Sequence, residues 1–159
     1  MTMPRLLPLA ALLAAVALIG AGCGSSSSDE PSAADAQTAY SSVRTQITGL
    51  GDSIGTAITS ASRQNDVQLA DAFAQLNDRG QAAVARLGAL EVPDELRDER
   101  QALSDALDQG TGDLADIARA ARASDADGAR QAAQQLIADS QRIRDARARF
   151  ERALNDAAN

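Results

Sequence analysis

Residues 96–121 read LRDERQALSDALDQGTGDLADIARAA. Apolar or small residues recur in this stretch at steps of three, four and seven, which places them on one face of an α-helix. They are Leu96, Leu103, Leu107, Gly110, Leu114, Ile117 and Ala121. Charged and polar residues occupy most other positions, so the stretch predicts an amphipathic helix that must bury its apolar face against other elements.

The rest of the chain after residue 31 follows the same pattern, and we expect helices at about residues 33–61, 66–90, 94–123 and 126–157. The apolar faces of the first and fourth helices carry Tyr40, Val43, Ile47, Leu50, Ile54, Ala57 and Ala61, and Ala129, Ala133, Leu136, Ser140, Ile143, Phe150 and Leu154. No stretch shows the two-residue alternation of a half-buried strand. The sequence therefore predicts an all-α domain over residues 32–159.

The breaks between these stretches contain residues that start helices. Asn65, followed three residues later by Gln68, is typical of a capping box. We expect Pro93 to open the third helix, and Ser124 with Asp127 to open the fourth. Such short connections make neighbouring helices antiparallel. We predict an antiparallel up-down-up-down four-helix bundle, with a coiled-coil dimer of helical hairpins as the alternative that the near-heptad spacing leaves open.

The N-terminus has the organisation of a secretory signal peptide. Arg5 is the single charge in residues 1–22, and the stretch that follows it is apolar up to Cys23, the one cysteine of the chain. Small residues directly before a lone cysteine resemble the lipobox of bacterial lipoproteins. The resemblance implies that residues 1–22 are removed and that Cys23 carries acyl chains such as palmitate. An uncleaved membrane anchor and ordinary secretion are the alternatives.

A short polar segment separates this signal from the predicted helices. Residues 24–31 read GSSSSDEP and contain no apolar side chain besides the proline, so we interpret residues 23–31 as a lipidated cysteine and a Ser-rich tether. The whole chain has a net charge of −7. Because an anionic leaflet repels an acidic protein, we expect the lipid rather than the protein surface to supply attachment to the membrane.

The composition excludes several kinds of chemistry. The chain has no His, and its 15 basic residues are all Arg, so it cannot build a Ser-His-Asp triad, an imidazole zinc site or a lysine Schiff base. Its acidity and 2% aromatic content argue against nucleic-acid binding. We expect the acids to lie on solvated faces, with no two buried together as a catalytic carboxylate pair requires. The sequence therefore predicts no enzyme, no catalytic residue, no metal and no cofactor.

Several small residues fall at one height of the predicted bundle. They are Gly49, Gly51 and Gly55 on the first helix, Gly110 and Gly112 on the third, and Ser140 on the fourth. Glycine inside a helix costs about 1 kcal/mol relative to alanine, so this concentration needs a reason. Close helix approach is one explanation. The other is a mid-bundle pocket for an apolar ligand, with Leu50, Ile54, Gly110 and Ser140 as candidate binding residues.

Two charged patterns have structural interpretations. One is an arginine series late in the fourth helix, which should lie beside the acids of residues 94–99 and form ion pairs with them. Contact with anionic lipid or wall polymer is the alternative. The series consists of Arg142, Arg144, Arg147, Arg149 and Arg152.

The other charged pattern is at residues 125–128, which read DADG. It resembles the start of a calcium loop but lacks its later acidic ligands. We interpret this segment as a helix cap.

The lipobox, the Ser-rich tether and the Ala-, Arg- and Asp-rich helices together resemble small uncharacterised lipoproteins of high-GC, actinobacterial-type bacteria. The resemblance implies a lipid-anchored protein on the extracytoplasmic face of the cell membrane and carries no activity with it. We expect a monomer or weak homo-oligomer that serves as an interaction or scaffold module for an envelope protein partner. The alternative is a binding protein for a small apolar ligand, which a cavity near Leu50 and Ser140 would favour.

Overall fold

The computed structural model describes residues 31–159, so the predicted signal peptide, Cys23 and nearly all of the tether lie outside the described residues. The helices are α1 Ala33–Ser60, α2 Asp66–Gly88, α3 Arg97–Arg122 and α4 Ala126–Ala157, with 3-10 turns at Ala61–Arg63 and Asp94–Leu96. Residues 31–159 contain no strand, which confirms the all-α prediction. None of the helices in this range has both the length and the hydropathy needed to cross a membrane.

The helix starts follow local capping chemistry. The Asn65 side chain accepts a hydrogen bond from the Gln68 backbone N–H at 2.9 Å, and the Gln68 side chain accepts one from the Asn65 backbone N–H at 3.2 Å, which confirms the predicted capping box. The predicted cap of α4 is wrong by one residue. Ser124 has a φ of 53° and forms the turn after α3, whereas Asp125 caps α4 by accepting from Gly128 N at 2.9 Å.

Contacts along the helices establish the topology. Gln37 Nε2 donates to Asn155 Oδ1 at 2.6 Å near the start of α1, and Arg147 lies next to Thr48 further along it. Residue numbers therefore rise in α1 as they fall in α4, which makes the two helices antiparallel. The same holds for α2 with α3 and for α3 with α4, as expected for an up-down-up-down bundle.

The core consists of two apolar clusters, one at each end of the bundle. One contains Tyr40, Val43, Leu87, Leu96, Leu103, Leu107 and Phe150, and the other contains Leu50, Phe73, Leu76, Leu114, Ile117 and Leu136. The layer between them is more polar. Thr111 and Asp139 are buried there, and a Cβ on Gly80 would overlap the Thr111 side chain. Close approach thus explains Gly80.

Helix α1 contacts α4 mainly through its first half. The Tyr40 and Phe150 rings meet edge to face, with centroids 5.0 Å apart, and the Tyr40 hydroxyl donates to Glu151 Oε1 at 3.3 Å. Burial raises the pKa of Tyr40 above its ordinary value, and the charge of Glu151 and its hydrogen bond to the hydroxyl raise it further. Beyond Ile47 a groove separates the two helices.

Candidate functional site

The groove between α1 and α4 has a volume of about 460 Å³, which is in the range of small-molecule sites. Its lining is mainly aliphatic. The lining residues are Ile47, Thr48, Leu50, Gly51, Asp52, Ile54, Gly55 and Ile58 of α1, Leu107 of α3, and Leu136, Ile137, Ser140, Ile143, Arg144 and Arg147 of α4. We call this feature the α1–α4 groove.

The structure brings three of the four predicted ligand residues to this groove. Leu50, Ile54 and Ser140 line it. Gly110 does not, because it is buried beneath Ile143, whose Cδ1 lies 2.9 Å from the position of a Cβ on Gly110. Close helix approach therefore explains Gly110, and the opening lies at the α1–α4 face of the bundle and not at its centre.

Two helical positions of α1 at the groove carry no side chain. Gly51 and Gly55 both line it, and no heavy atom lies within 4 Å of a Cβ built on either residue. Packing therefore does not require glycine at these positions. A larger residue at either position has room for its side chain beside the groove.

Two isoleucines at the groove edge were not among the predicted site residues. Ile58 is 37% exposed and Ile137 is 58% exposed. Their sequence signal is an apolar residue one step beside the buried face of its helix, since Ile58 follows Ala57 directly and Ile137 follows Leu136 directly. Exposed isoleucines on both sides of one concave surface are typical of a binding site.

One end of the groove is charged. Arg147 is 34% exposed in its side chain, with Nη1 3.5 Å from Thr48 Oγ1 and Nε 3.8 Å from Glu151 Oε1. Arg144 lines the same surface, and its Nε donates to Gln141 Oε1 at 3.3 Å. Arg147 lies between Ile143 and Phe150 on the spacing of the apolar face of α4, and its guanidinium lies at the groove edge.

The rest of the arginine series pairs mostly within α4. Arg149 Nε lies 3.5 Å from Glu99 Oε2, which is the kind of ion pair predicted with the acids of α3. Arg142 instead pairs with Asp139 at 2.5 Å, and Arg152 donates to the Ala148 carbonyl at 3.2 Å. The prediction of pairing between α3 and α4 therefore holds for Arg149 and is wrong for the other four arginines, whose contacts lie within α4 or, for Arg147, also with Thr48 of α1.

A buried carboxyl pair contradicts the expectation that all acids are solvated. Asp113 of α3 is 8% exposed and Asp139 of α4 is 1% exposed. Asp139 accepts hydrogen bonds from Arg142 and from Gln135, at 2.5 and 3.1 Å. Burial raises the pKa of Asp113 to about 6, and the charge of Asp139 and its hydrogen bond to Asp113 add to this effect. The antiparallel register of α3 and α4 places the two acids together.

The two acids of this pair differ in their surroundings. Asp139 is 1% exposed, whereas Asp113 lines a hollow of about 420 Å³ near the α3–α4 turn. The Asp125 carboxylate at the other end of this hollow caps α4, as the helix-cap interpretation of DADG requires. Within residues 31–159, no three acidic or cysteine side chains gather in a way that could hold a metal ion.

Comparisons with protein-family models, with curated proteins and with solved structures gave no match.

Proposed function

We propose that the protein is a non-enzymatic binding module of the bacterial cell envelope that holds a small apolar ligand in the α1–α4 groove. Acyl chains on Cys23 attach it to the extracytoplasmic face of the cell membrane. The observation that carries the proposal is the groove itself, a mainly aliphatic concavity of about 460 Å³ that two glycines line. Binding of an apolar ligand to such a surface is favourable, because it removes apolar surface of both the groove and the ligand from water.

The shape of the groove favours a small ligand. Its α1 side runs from Ile47 to Ile58, roughly 16 Å at the rise of an α-helix. A helix from an envelope protein partner is the second candidate, and the observation that favours it is Ile137, 58% exposed at the edge. Such a partner would make the protein an interaction or scaffold module.

The first experiment asks whether the groove holds a molecule in the cell. The full chain is released from membranes in mild detergent, and native mass spectrometry measures the mass that remains bound to it. Gly51→Leu places a branched side chain in the groove, whereas Gly112→Leu makes the same change at an exposed α3 position that also has open space around it.

We expect a small apolar molecule on the unmodified protein and on the Gly112→Leu control, and little or none on Gly51→Leu. Equal occupancy of the two variants would place the molecule elsewhere. The absence of any bound molecule, together with co-purification of a protein that Gly51→Leu releases, would favour the scaffold function.

A second experiment tests the anchor. Cys23→Ser removes the proposed acylation site, so fractionation of cells should find the protein released from the membrane, because the apolar surface of acyl chains supplies attachment. Retention of the full-length variant in the membrane fraction would instead favour an uncleaved N-terminal anchor.

A further inference from the structure

We infer that the ligand of the α1–α4 groove is a single-chain amphiphile with a carboxylate head group, that is, a long-chain fatty acid or a close analogue. This inference rests on the proposed function and names the ligand class of the same site. The acyl chain lies along the aliphatic floor, and the carboxylate meets Arg144 and Arg147.

The floor of the groove suits a hydrocarbon chain. Leu50, Ile54, Leu136 and Ile143 provide it, and none of these side chains offers a hydrogen bond. The α1 side of the groove is about as long as three helical turns, so an extended hydrocarbon chain can lie along it. Because burial of each methylene is favourable, the acyl chain is the main source of affinity.

The charged end of the groove suits one anionic head group. Arg144 and Arg147 are three residues apart, so their guanidinium groups project from the same face of α4. Their contacts are long, at 3.3 Å from Arg144 to Gln141 and 3.8 Å from Arg147 to Glu151. Charge-assisted pairs form at about 2.7–2.9 Å, so a carboxylate between the two arginines gains shorter bonds than they make now.

The neighbouring acids limit the charge of the head group. Asp52 lines the groove on the α1 side, and Glu151 lies beyond Arg147. Because these two carboxylates offset the charge of the two guanidinium groups, the site disfavours a phosphate monoester with two negative charges more than a carboxylate with one. The charged residues lie at one end of the groove, so the aliphatic floor remains accessible to an uncharged chain. The head group therefore determines selectivity, and the chain determines affinity.

The test is photolabelling of the full chain in phosphatidylcholine nanodiscs. The probes are hexadecanoic acid and the alcohol and amine of the same chain, each with the same diazirine near the middle of the chain. Trypsin cleaves after arginine, so residues 45–63 form one peptide that contains all the lining residues of α1. Residues 64–79 of α2 form the reference peptide, and mass spectrometry measures the label on both.

We expect the acid to label residues 45–63 about tenfold more than the alcohol or the amine, which corresponds to about 1.4 kcal/mol. The double variant Arg144→Gln and Arg147→Gln should reduce labelling by the acid to the level of the alcohol. The matched control changes Arg130 and Arg152, two exposed arginines of α4 outside the groove, to Gln and should retain the selectivity.

Two outcomes overturn the inference, and they differ in what they say about the proposed function. If all three probes label residues 45–63 equally and above the reference peptide, the groove binds apolar ligands but the head-group assignment is wrong. If no probe labels residues 45–63 above the reference peptide, the proposed function fails as well. The three probes are compared on the unmodified protein, so this part of the test does not depend on whether a variant folds.

Discussion

Asp113 shows how a single residue gains its properties from the element packed against it. Its Oδ2 is buried and has no hydrogen-bond partner among the described residues. The groups that face it are Asp139 and Arg142 of α4 and Asp116 of its own helix. Burial and the two acids disfavour its ionised form, and Arg142 favours it more weakly. An ionised Asp113 is therefore a source of instability at neutral pH.

This arrangement predicts a pH dependence. The pKa of Asp113 rises from 3.8 to about 6 in the folded state, so the folded protein retains a proton that the unfolded chain has lost between those values. The Asp113 contribution to stability is then complete below pH 4 and is lost as the pH rises through 6. Asp113→Asn should raise the free energy of unfolding at pH 7 by about 1–3 kcal/mol.

Urea denaturation between pH 4 and pH 8 measures this effect. The difference between Asp113→Asn and the unmodified protein should grow with pH and level off above 6. Asp78→Asn, at an exposed position of α2, is the control. A constant difference across the range would mean that Asp113 titrates at its ordinary value.

Leu103 provides the test of core packing at a single site. It is 0% exposed and belongs to the cluster that contains Tyr40 and Phe150. Leu103→Ala should lower the free energy of unfolding by about 2–5 kcal/mol, because it removes buried methyl groups and leaves a cavity. A loss below about 0.5 kcal/mol in urea denaturation would contradict the assigned core.

At the scale of the element, α1 and α2 contain glycine for different reasons. Gly51 and Gly55 have open space around them, so replacement by alanine removes the helical cost of glycine without a clash. Each of Gly51→Ala and Gly55→Ala should raise the free energy of unfolding by about 0.5–1 kcal/mol. Thermal unfolding monitored by circular dichroism provides the measurement, and a loss of stability in either variant would mean that α1 lies closer to α4 than described.

Gly80 of α2 is the contrasting case. A Cβ there would overlap the Thr111 side chain, which is held by hydrogen bonds to the Asp108 carbonyl at 2.7 Å and to Gln81 at 3.1 Å. Gly80→Ala should therefore lower the free energy of unfolding by about 1–3 kcal/mol in the same assay. A neutral result would show that the layer between the two core clusters is less tightly packed than the contacts indicate.

Local chemistry made the elements predictable. The apolar spacing of residues 96–121 and the Asn65 capping box act over one or two helical turns, and the predicted bounds agree with α1 to α4 within a few residues. The error at Ser124 arose because Ser and Asp both cap helices, and the choice between them depends on the turn that α3 makes. Asp113 and Asp139 were missed because their pairing depends on the register of two helices.

At the scale of the whole molecule, the bundle has three closely packed helices and one that leaves a groove. Helix α3 packs tightly against α2 and α4, whereas α1 contacts α4 much less. Glycine spacing predicted the height of the groove and three of its residues. Its position between α1 and α4 was not predictable, because helical periodicity defines which face is buried but not how far apart two helices lie.

The proposed function requires that the α1–α4 groove binds an apolar ligand. The methyl groups of its isoleucines are the most direct probes of that binding. Five of the six isoleucines in residues 31–159 line the groove, and the sixth, Ile117, is buried in the core. The five are Ile47, Ile54, Ile58, Ile137 and Ile143. Ile117 belongs to the same core cluster as Leu50 and Leu136 but does not line the groove.

The measurement is NMR of isoleucine δ1-methyl groups in the full chain in nanodiscs during addition of hexadecanoic acid. We expect saturable chemical-shift changes of the five groove methyl groups and an unchanged Ile117 signal. Unchanged groove methyls, or equal shifts at Ile117 and in the groove, would contradict it.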